Sequence, residues 1–380
     1  MGNRQKIVIV GGGVAALETA IGLHECKYVD VDVAMISPTA DFNYRPFTVL
    51  EPFGIRHVAE MPIRSLVDGC DVELIVDKVS RVDQTFKRVM TSKGTLIDFD
   101  ALVVTTGAET IEGLPGALTI GDKASLIKLR HMLGEIDAGL VRSVAFVATA
   151  GASWTLPIYE CALLTAARAR HQLQSAVRIH VITPEQCPLQ IFGEAAGERV
   201  MALLQDAGIK LHTSTRAQSF DDGEVKTITG AKVPAARAVA LPHLVGRRIP
   251  GLPHDANGFL PVDRLGHVGD TESIYAAGDI TDFPVKQGSI AAQQADAIVS
   301  ELAVRFGRAQ ESRPFRPQLH AVLLSEGSST FIRASGDKGP HRGADVSDEP
   351  LWENAEKIFS RHLSQRMQRL RAAGTKLAAR

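Results

Sequence analysis

Residues 6–16 of the chain read KIVIVGGGVAA, and this stretch decides the fold. The apolar, β-branched run at residues 7–10 is typical of a strand buried on both faces of a sheet. The segment that follows has the form G-x-G-x-x-A. Residues 17–23 then read as a helix, and residues 31–36 as a second strand. A strand, a glycine turn, a helix and a strand in this order are typical of a dinucleotide-binding fold.

Each small residue of the turn has a physical role. Gly11 permits the tight turn, Gly13 lets the backbone approach a pyrophosphate, and Ala16 is small enough for the helix to pack on the strand. The first N–H groups of the helix, near Val14 and Ala15, would face the phosphates. Glycine-rich turns also occur in many other α/β proteins, so the motif alone does not establish a nucleotide site.

The second strand departs from the usual pattern. It ends at Ser37, whereas an Asp or Glu at this position would hold a ribose hydroxyl. Ser37 would make a weaker hydrogen bond there, or the backbone would serve instead.

Composition narrows the function classes. The 380 residues carry 42 Lys+Arg and 43 Asp+Glu, a net charge of −1. Near-neutrality argues against a nucleic-acid partner, and the length suggests two or three domains. Four cysteines without CxxC spacing exclude a disulfide scaffold, and twelve histidines without HxxxH or HExxH spacing predict no metal. No signal peptide and no apolar run of about 20 residues is present, so we expect a cytoplasmic protein.

Two later motifs carry a family resemblance. Residues 101–108 read ALVVTTGA, residues 273–280 read SIYAAGDI, and PVKQG at 284–288 precedes a helical stretch to about residue 306. In this order they resemble the flavoproteins with two dinucleotide-binding domains. That superfamily includes pyridine nucleotide-disulfide reductases, type II NADH dehydrogenases and sulfide:quinone oxidoreductases. The resemblance covers about residues 4–310 and implies FAD as cofactor.

The resemblance also implies the architecture. The fold class is α/β, with two Rossmann-like three-layer nucleotide-binding domains, the second inserted in the first, and a small carboxyl-terminal domain. Residues 1–115 and 256–310 would form the FAD domain, residues 116–255 a NAD(P)-binding-like domain, and residues 311–380 the carboxyl-terminal domain.

Residue roles follow from the resemblance. Gly11, Gly13 and Ala16 would cradle the FAD pyrophosphate, Asp279 would bond the ribityl chain or pyrophosphate, and Lys286 would add positive charge at the flavin edge. Lys286 can equally be a solvated loop lysine. The full set of predicted cofactor-binding residues is Gly11, Gly13, Val14, Ala15, Ala16, Ser37, Arg45, Pro46, Val79, Thr105, Thr106, Gly107, Gly278, Asp279, Lys286, Gln287 and Gly288.

The subfamily is indicated by what is present and what is missing. FNYRPF at 42–47 is similar to the aromatic–Pro segment of sulfide:quinone oxidoreductases and type II NADH dehydrogenases. PIYE at 157–160 resembles a run that follows a redox cysteine in the former, but that cysteine position falls at or next to Trp154. The second redox cysteine, close to Asp279, is also absent, so sulfide is not favoured as donor. Cys161 is predicted to be a buried structural thiol.

Glu160 and Lys286 are the predicted catalytic residues. The resemblance places the Glu160 carboxylate near the flavin, where it could relay protons. The alternative is a carboxylate that merely stabilises a helix amino terminus.

The second nucleotide domain has a degenerate turn. Its first strand, 144–147, is followed by ATAGASWTLP, in which Gly151 is the single glycine. Trp154 and Pro157 should obstruct the approach of a pyrophosphate. Glu185 follows the next strand near the ribose position, although surface glutamates are common. The sequence therefore argues against NAD(P)H without excluding it.

The carboxyl-terminal part predicts two strands, 320–324 and 330–334, and then a polar loop at 335–350. Residues 351–380 carry two acids and seven bases, a net of +5. Leu351, Ala355, Phe359, Leu363, Met367 and Leu370 recur at helical spacing and predict a basic amphipathic helix. Such a helix can lie on the inner face of an anionic membrane, pack on the body of the protein, or bind a second subunit in a homodimer.

The sequence therefore predicts an FAD-dependent oxidoreductase. Two electrons would pass from NAD(P)H, a sulfide-like donor or a small organic donor to a quinone-like or protein acceptor. The alternatives are a redox-inert FAD-binding or interaction protein and a specialised biosynthetic flavoenzyme.

Overall fold

The structure is a computed structural model. It describes residues 4–26, 31–55, 60–172, 176–335, 343–353 and 356–378. Its strands, in chain order, are β1 (Gln5–Val10), β2 (Val31–Ser37), β3 (Asp41–Asn43), β4 (Glu60–Pro62), β5 (Val72–Val76), β6 (Val79–Asp83), β7 (Arg88–Thr91), β8 (Leu96–Asp98), β9 (Ala101–Val104), β10 (Ala108–Ile111), β11 (Leu118–Thr119), β12 (Ser143–Val147), β13 (Arg178–Ile182), β14 (Lys210–His212), β15 (Ala217–Asp221), β16 (Glu224–Thr227), β17 (Lys232–Pro234), β18 (Arg237–Ala240), β19 (His243–Gly246), β20 (Ile274–Ala276), β21 (Gln318–Ser325), β22 (Ser328–Ser335) and β23 (Asp345–Ser347).

The α-helices are α1 (Val14–Glu25), α2 (Ile63–Leu66), α3 (Lys123–Asp137), α4 (Leu156–His171), α5 (Glu194–Asp206), α6 (Gly288–Arg305) and α7 (Leu363–Ala378). Two 3₁₀ helices, Arg45–Phe53 and Gln190–Phe192, complete the described elements.

The first unit is built on a parallel sheet of order β20-β9-β1-β2-β5. Alternate residues of β1 point to opposite faces of this sheet. Ile7 and Ile9 pack with helices α1 and α6, whereas Val8 and Val10 pack with the antiparallel sheet β6-β7-β8. The result is three layers: helices, parallel sheet and small antiparallel sheet.

The second unit repeats this plan on a parallel sheet of order β11-β18-β12-β13-β14. Val144 and Phe146 of β12 pack with helices α3, α4 and α5. Ala145 and Val147 pack with the antiparallel sheet β15-β16-β17. Strand β20, from later in the chain, joins the first sheet, so the second unit lies within the first along the sequence. The predicted fold class is confirmed; the predicted domain bounds stay a prediction.

The carboxyl-terminal part differs from its prediction in two places. The hairpin β21-β22 is present, but β23 lies where a loop was predicted, because its residues pair with the free edge of β22. The predicted helix from Leu351 is also wrong in extent, since α7 begins only at Leu363. The N–H groups of Ile358 and Phe359 donate to the Tyr44 hydroxyl at 3.0 Å and to Ser289 Oγ at 2.9 Å. These tertiary partners replace the helical carbonyl acceptors there, while Ala355 lies outside the described residues.

Helix α7 packs on the first unit. Leu363 and Met367 are each 1% exposed and belong to the core around α1 and α6. This part of the apolar stripe therefore lies on the body of the protein, one of the three predicted alternatives. Membrane contact and a homodimer stay predictions. Among the helices that the structure describes, none is long and apolar enough to cross a lipid bilayer.

Candidate active site

A cavity of about 690 Å³ opens at the carboxyl ends of β1 and β9, the usual ligand position in an open parallel sheet. The first unit, the second unit and the carboxyl-terminal part all contribute to its wall. Glu160 and every predicted cofactor residue except Ala16 line it. Ala16 is fully buried in the core behind the glycine turn, so it supports helix packing and does not face a ligand.

The glycine turn fits a pyrophosphate. Gly11 has φ +138°, and a Cβ there would lie 2.4 Å from the carbonyl oxygen of Thr105, so only glycine is accommodated. A Cβ on Gly13, in contrast, would meet no protein atom within 4 Å. Gly13 lines the cavity immediately before α1, and no side chain caps the amino terminus of this helix. The open space and the free N–H groups of α1 are what a pyrophosphate requires.

The start of α6 also lines the cavity, and this helix begins at Gly288 without a side-chain cap. Within the described residues, Gln287 Nε2 and Thr106 Oγ1 are buried and have no hydrogen-bond partner. Both side chains line the cavity. Buried polar groups without partners are costly in a finished protein, so these two atoms indicate a ligand with polar groups. The donor set and the cavity therefore fit FAD.

The G-D motif places two charges beside this ligand position. Burial raises the pKa of Asp279, although Lys286 and Arg45 oppose the shift. Burial lowers the pKa of Lys286 to about 8. Its ammonium donates to the carbonyl oxygen of Thr281 and lies 3.9 Å from the centroid of the Phe259 ring. Lys286 is thus a held, half-buried cation in the cavity wall and not a solvated loop lysine.

Glu160 is the most deeply buried charge of the cavity wall. It is the fifth residue of α4, beyond the first turn, so the alternative of a carboxylate that merely stabilises a helix amino terminus is not supported. Its oxygens lie 2.6 and 2.7 Å from Lys357 Nζ, and one accepts the N–H of Leu324 at 2.9 Å. Burial raises the pKa of Glu160, and the Lys357 ammonium opposes the shift. The neighbouring Cys161 is fully buried, as predicted, and burial raises its pKa to about 12.

Sequence reasoning missed the carboxyl-terminal side of the cavity. Lys357, Ile358 and His320 line it, although they are far from the motifs in sequence. A Cβ on Gly288 would lie 2.5 Å from Ile358 Cδ1, so this chain segment lies directly against the start of α6. The His320 ring stacks on Phe359 with centroids 4.4 Å apart, and burial lowers the His320 pKa to about 4. No local pattern signals these contacts, because they form across the whole fold.

The glutamine pair of α6 lies outside the cavity wall. Gln294 accepts the N–H of Gly278 at 2.8 Å and donates to Thr281 Oγ1, so it fixes the turn that carries Asp279. Gln293 exchanges hydrogen bonds with the backbone of Gln318 and so ties α6 to β21. Both glutamines support the site without facing it.

An acidic cluster away from the cavity joins α7 to the first unit. Glu18 of α1 accepts the N–H groups of His362 and Leu363, each at 2.8 Å. The His362 ring lies 2.6 Å from Glu25 Oε2 and 3.6 Å from Asp296 Oδ1. Burial, followed by the charge of Asp296, raises the pKa of Glu18 to about 8. The oxygens of Glu18 are therefore used to anchor α7.

The turn of the second unit differs from that of the first. Gly151 is present with φ +83°, and Trp154, three residues later, lines the cavity and contacts the Phe192 ring at 5.9 Å between centroids. Glu185, the acid that the sequence puts near the ribose position, follows β13 and is buried. Its carboxylate accepts Tyr159 OH at 2.5 Å, and also the hydroxyls of Thr155 and Thr183.

Comparison with known proteins agrees with this geometry. The family model described as pyridine nucleotide-disulphide oxidoreductase matches residues 5–295. An NADH dehydrogenase-like protein of Mycobacterium tuberculosis is 25% identical over 323 residues, covering 80% of this chain and 77% of the relative. The sulfide-quinone reductase of Aquifex aeolicus is 22% identical over 352 residues, covering 85% and 81%.

Solved structures show the same fold. The sulfide:quinone oxidoreductase of the hyperthermophilic bacterium Aquifex aeolicus superposes with a TM-score of 0.82 at 21% identity, covering 90% of this chain and 86% of that one. A ferredoxin reductase from Rhodopseudomonas palustris gives a TM-score of 0.66 at 19% identity, covering 87% and 82%.

Proposed function

The chain belongs to the pyridine nucleotide-disulphide oxidoreductase family, and on that premise we propose that it passes two electrons from a small-molecule donor to a quinone-like acceptor. It is an FAD-dependent oxidoreductase. FAD, when bound, supplies the two-electron chemistry, and the protein supplies binding, orientation and electrostatics. Relatives named sulfide-quinone reductase and type II NADH:quinone oxidoreductase support a quinone as acceptor.

The predicted cofactor residues keep their proposed roles. Gly11, Gly13 and the start of α1 would hold the pyrophosphate, and Asp279 would bond the ribityl chain or pyrophosphate. The start of α6 and the Lys286 ammonium would place positive potential at the flavin edge.

The buried pair of Glu160 and Lys357 is the observation that carries the acceptor proposal. Reduction of a quinone to a quinol takes up two protons with two electrons, so the acceptor site needs a proton donor inside the protein. The side chain of Lys357 is only 6% exposed, and the residue lines the cavity. One of the two protons would come with the electrons from the reduced cofactor. We assign Lys357 the other proton, which goes to an acceptor oxygen, and Glu160 the role of holding that ammonium and returning a proton to it.

The same wall offers an apolar surface for a ring. Ile358 and His320 line the cavity next to Lys357, and His320 is already stacked on Phe359. Because the His320 pKa is lowered to about 4, its imidazole is uncharged at neutral pH. A flat, mostly apolar acceptor suits such a surface better than a charged one does.

The test separates proton delivery from electron transfer. The protein is reduced with dithionite, and its reoxidation is followed with a short-chain ubiquinone, which takes protons, or with ferricyanide, which takes none. Lys357→Met and Glu160→Gln should each slow reoxidation by the quinone about 100-fold and leave the ferricyanide rate unchanged. The matched control is Glu356→Gln, which breaks the adjacent Glu356–Arg371 ion pair outside the cavity wall.

Two results would contradict the proposal. If both oxidants slow down equally, the pair has a structural role and not a proton-transfer role. If the purified protein shows no flavin absorption and takes up no added FAD, the whole oxidoreductase reading is wrong for this chain.

A further inference from the structure

The second unit has the framework of a dinucleotide site without its binding groups. In such a fold the dinucleotide lies outside the carboxyl ends of the strands, with its pyrophosphate on the helix start and a ribose on an acidic residue after the second strand. The corresponding parts here are the ends of β12 and β13, the start of α4, and Glu185. Glu185 and the start of α4 are engaged within the protein, whereas the Thr149 hydroxyl after β12 is buried without a hydrogen-bond partner in the described structure.

Glu185 is saturated by internal donors. Its two oxygens accept four hydrogen bonds: from Tyr159 OH at 2.5 Å, Thr183 Oγ1 at 3.0 Å, Thr155 Oγ1 at 3.1 Å and the N–H of Gln190 at 3.3 Å. The carboxylate has about four lone-pair positions, so none is left for a ribose hydroxyl. Burial also raises its pKa, the opposite of what an exposed ribose-binding carboxylate would show.

The start of α4 is closed in the same way. Thr155 is the residue that precedes the helix, and its hydroxyl is turned to Glu185 instead of to a ligand. Pro157 in the first turn removes an N–H group from the set that would face phosphates. Tyr159 is fully buried in the second core, where its ring helps to hold Glu185 in place.

Much of the cavity wall that this unit presents is apolar. Ile120, Leu126, Trp154, Leu156 and Leu241 line it. In the described part of the second unit, the charged residues of this wall are Glu160, which is neutralised by Lys357, and the arginines Arg247 and Arg248. Arg247 lies 3.5 Å from the Glu109 carboxylate, and Arg248 donates to the backbone carbonyls of Asp255 and Ala256. A dinucleotide carries two or three negative charges, and both arginines are already bonded within the protein.

We propose that the second unit of this chain has lost its dinucleotide site, and that the electron donor is a small, mainly apolar organic molecule that enters the cavity directly. The inference rests on the proposed function, because it names the donor of the same FAD-dependent reaction. Glu185 and Tyr159 then have a structural role in the core of the second unit. The apolar part of the cavity wall determines which donor is accepted.

A pair of donors with the same reacting ring tests the inference. NADH and 1-benzyl-1,4-dihydronicotinamide each give a hydride from ring carbon 4, two electrons and one proton, and leave as the pyridinium cation. The second compound lacks the phosphates and riboses and carries an apolar benzyl group. Their rates are measured without oxygen on the FAD-loaded full chain and, as reference, on free FAD.

We expect the ratio of the rate with the benzyl compound to the rate with NADH to be about tenfold or more higher on the protein than on free FAD. The rate should saturate with concentration for the benzyl compound alone. NADH and NADPH should show no saturation below roughly 1 mM, the upper end of ordinary KM values. Saturation by either dinucleotide in the micromolar range would overturn the lost-site inference. No preference for the benzyl compound would overturn the apolar-donor part.

A binding measurement is independent of turnover. Saturation-transfer NMR with NADH on the FAD-loaded protein reports the second unit, because the first site is filled. We expect no transfer to the adenine or nicotinamide protons, and clear transfer would contradict the inference. Failure of the quinone assay with an intact donor result would instead refute the proposed acceptor, so the two failures are distinguishable.

Tyr159→Phe tests the internal use of Glu185. We expect the melting temperature to fall by several degrees and the NADH behaviour to stay unchanged. The matched control is Tyr275→Phe, which also removes the hydroxyl of a buried tyrosine, but one with longer bonds, to the Glu272 carbonyl at 3.3 Å and from Arg305 at 3.4 Å. If Tyr159→Phe leaves the melting temperature unchanged and gives micromolar NADH binding, Glu185 is able to bind a ribose and the inference is wrong.

Discussion

The first and second units share one architecture and differ at one turn. Both have a five-stranded parallel sheet, helices on one face and a three-stranded antiparallel sheet on the other. In the first unit the turn after the central strand leaves open space at Gly13 and polar atoms without internal partners nearby. In the second unit the corresponding turn also has an open position at Gly151 and a buried Thr149 hydroxyl without a partner, but it contains Trp154, and the acid after the next strand is internally bonded. Sheet and helix packing therefore conserve the framework, whereas turn chemistry decides whether a ligand fits.

The largest effect should come from filling the open space at Gly13. Threonine is about as good as glycine at the position before a helix, so Gly13→Thr should leave the thermal stability of the apoprotein nearly unchanged. Its side chain would occupy the proposed pyrophosphate position and weaken FAD binding by about 100-fold or more, equivalent to about 2.7 kcal/mol. Flavin absorption after purification and a fluorescence titration with FAD measure this. Unchanged FAD affinity would mean that the pyrophosphate lies elsewhere.

The polar residues at the end of the second strand of each unit give the next comparison. Glu185→Leu, three residues after β13, leaves the hydroxyls of Tyr159, Thr155 and Thr183 without their acceptor, and we expect a loss of about 3 kcal/mol in the free energy of unfolding. Ser37→Ala, at the last residue of β2, should cost about 1 kcal/mol or less and act mainly on FAD affinity. Denaturant unfolding of both variants checks this order, and equal losses would contradict the contrast.

The two units also differ in how they hold the carboxyl-terminal part, because Glu18 of the first unit anchors α7. Its pKa is raised from 4.5 to about 8 in the folded protein, so the folded state binds more protons than the unfolded state between these values. Stability from this group is therefore present below about pH 4.5 and is lost as pH rises towards 8, at up to about 1.4 kcal/mol per pH unit.

Glu18→Gln should flatten this part of the pH dependence. The amide keeps a carbonyl acceptor for one of the two N–H groups and cannot ionise next to Asp296. Melting temperatures of the wild type and the variant from pH 5 to pH 8 measure the slope. Parallel curves would show that Glu18 does not titrate in this range.

The smallest effect is expected at Gly151, the remaining glycine of the second turn. Its φ of +83° is in the left-handed region, but a Cβ there would meet no atom within 4 Å. Gly151→Ala should cost about 1 kcal/mol from backbone strain alone. FAD content should not change, in contrast to Gly13→Thr. Loss of flavin in Gly151→Ala would show that the two turns are not independent.

Much of the fold could be predicted from local sequence. The alternation of Ile7 and Val8 between two cores, the glycine turn and the α6 start all follow from periodicity and turn chemistry, which act over a few residues. Every predicted cofactor residue except Ala16 lines the cavity, and those of the glycine turn, the T-T-G motif and the G-D motif do so because these motifs follow strands of one parallel sheet. The absence of a G-x-G-x-x-G motif after β12 could also be predicted from the sequence.

Only the tertiary structure decided the remaining parts of the site. Lys357 meets Glu160 across 197 residues of chain, and Ile358 leaves the helical pattern because Tyr44 and Ser289 take up the local N–H groups. The sequence does not show that Glu185 is buried, because its donors Thr155 and Tyr159 come from a distant segment at the start of α4. Local chemistry thus determined which turns could receive a cofactor, whereas pairings between distant segments determined which charges are buried, because no short-range pattern records a partner so far along the chain.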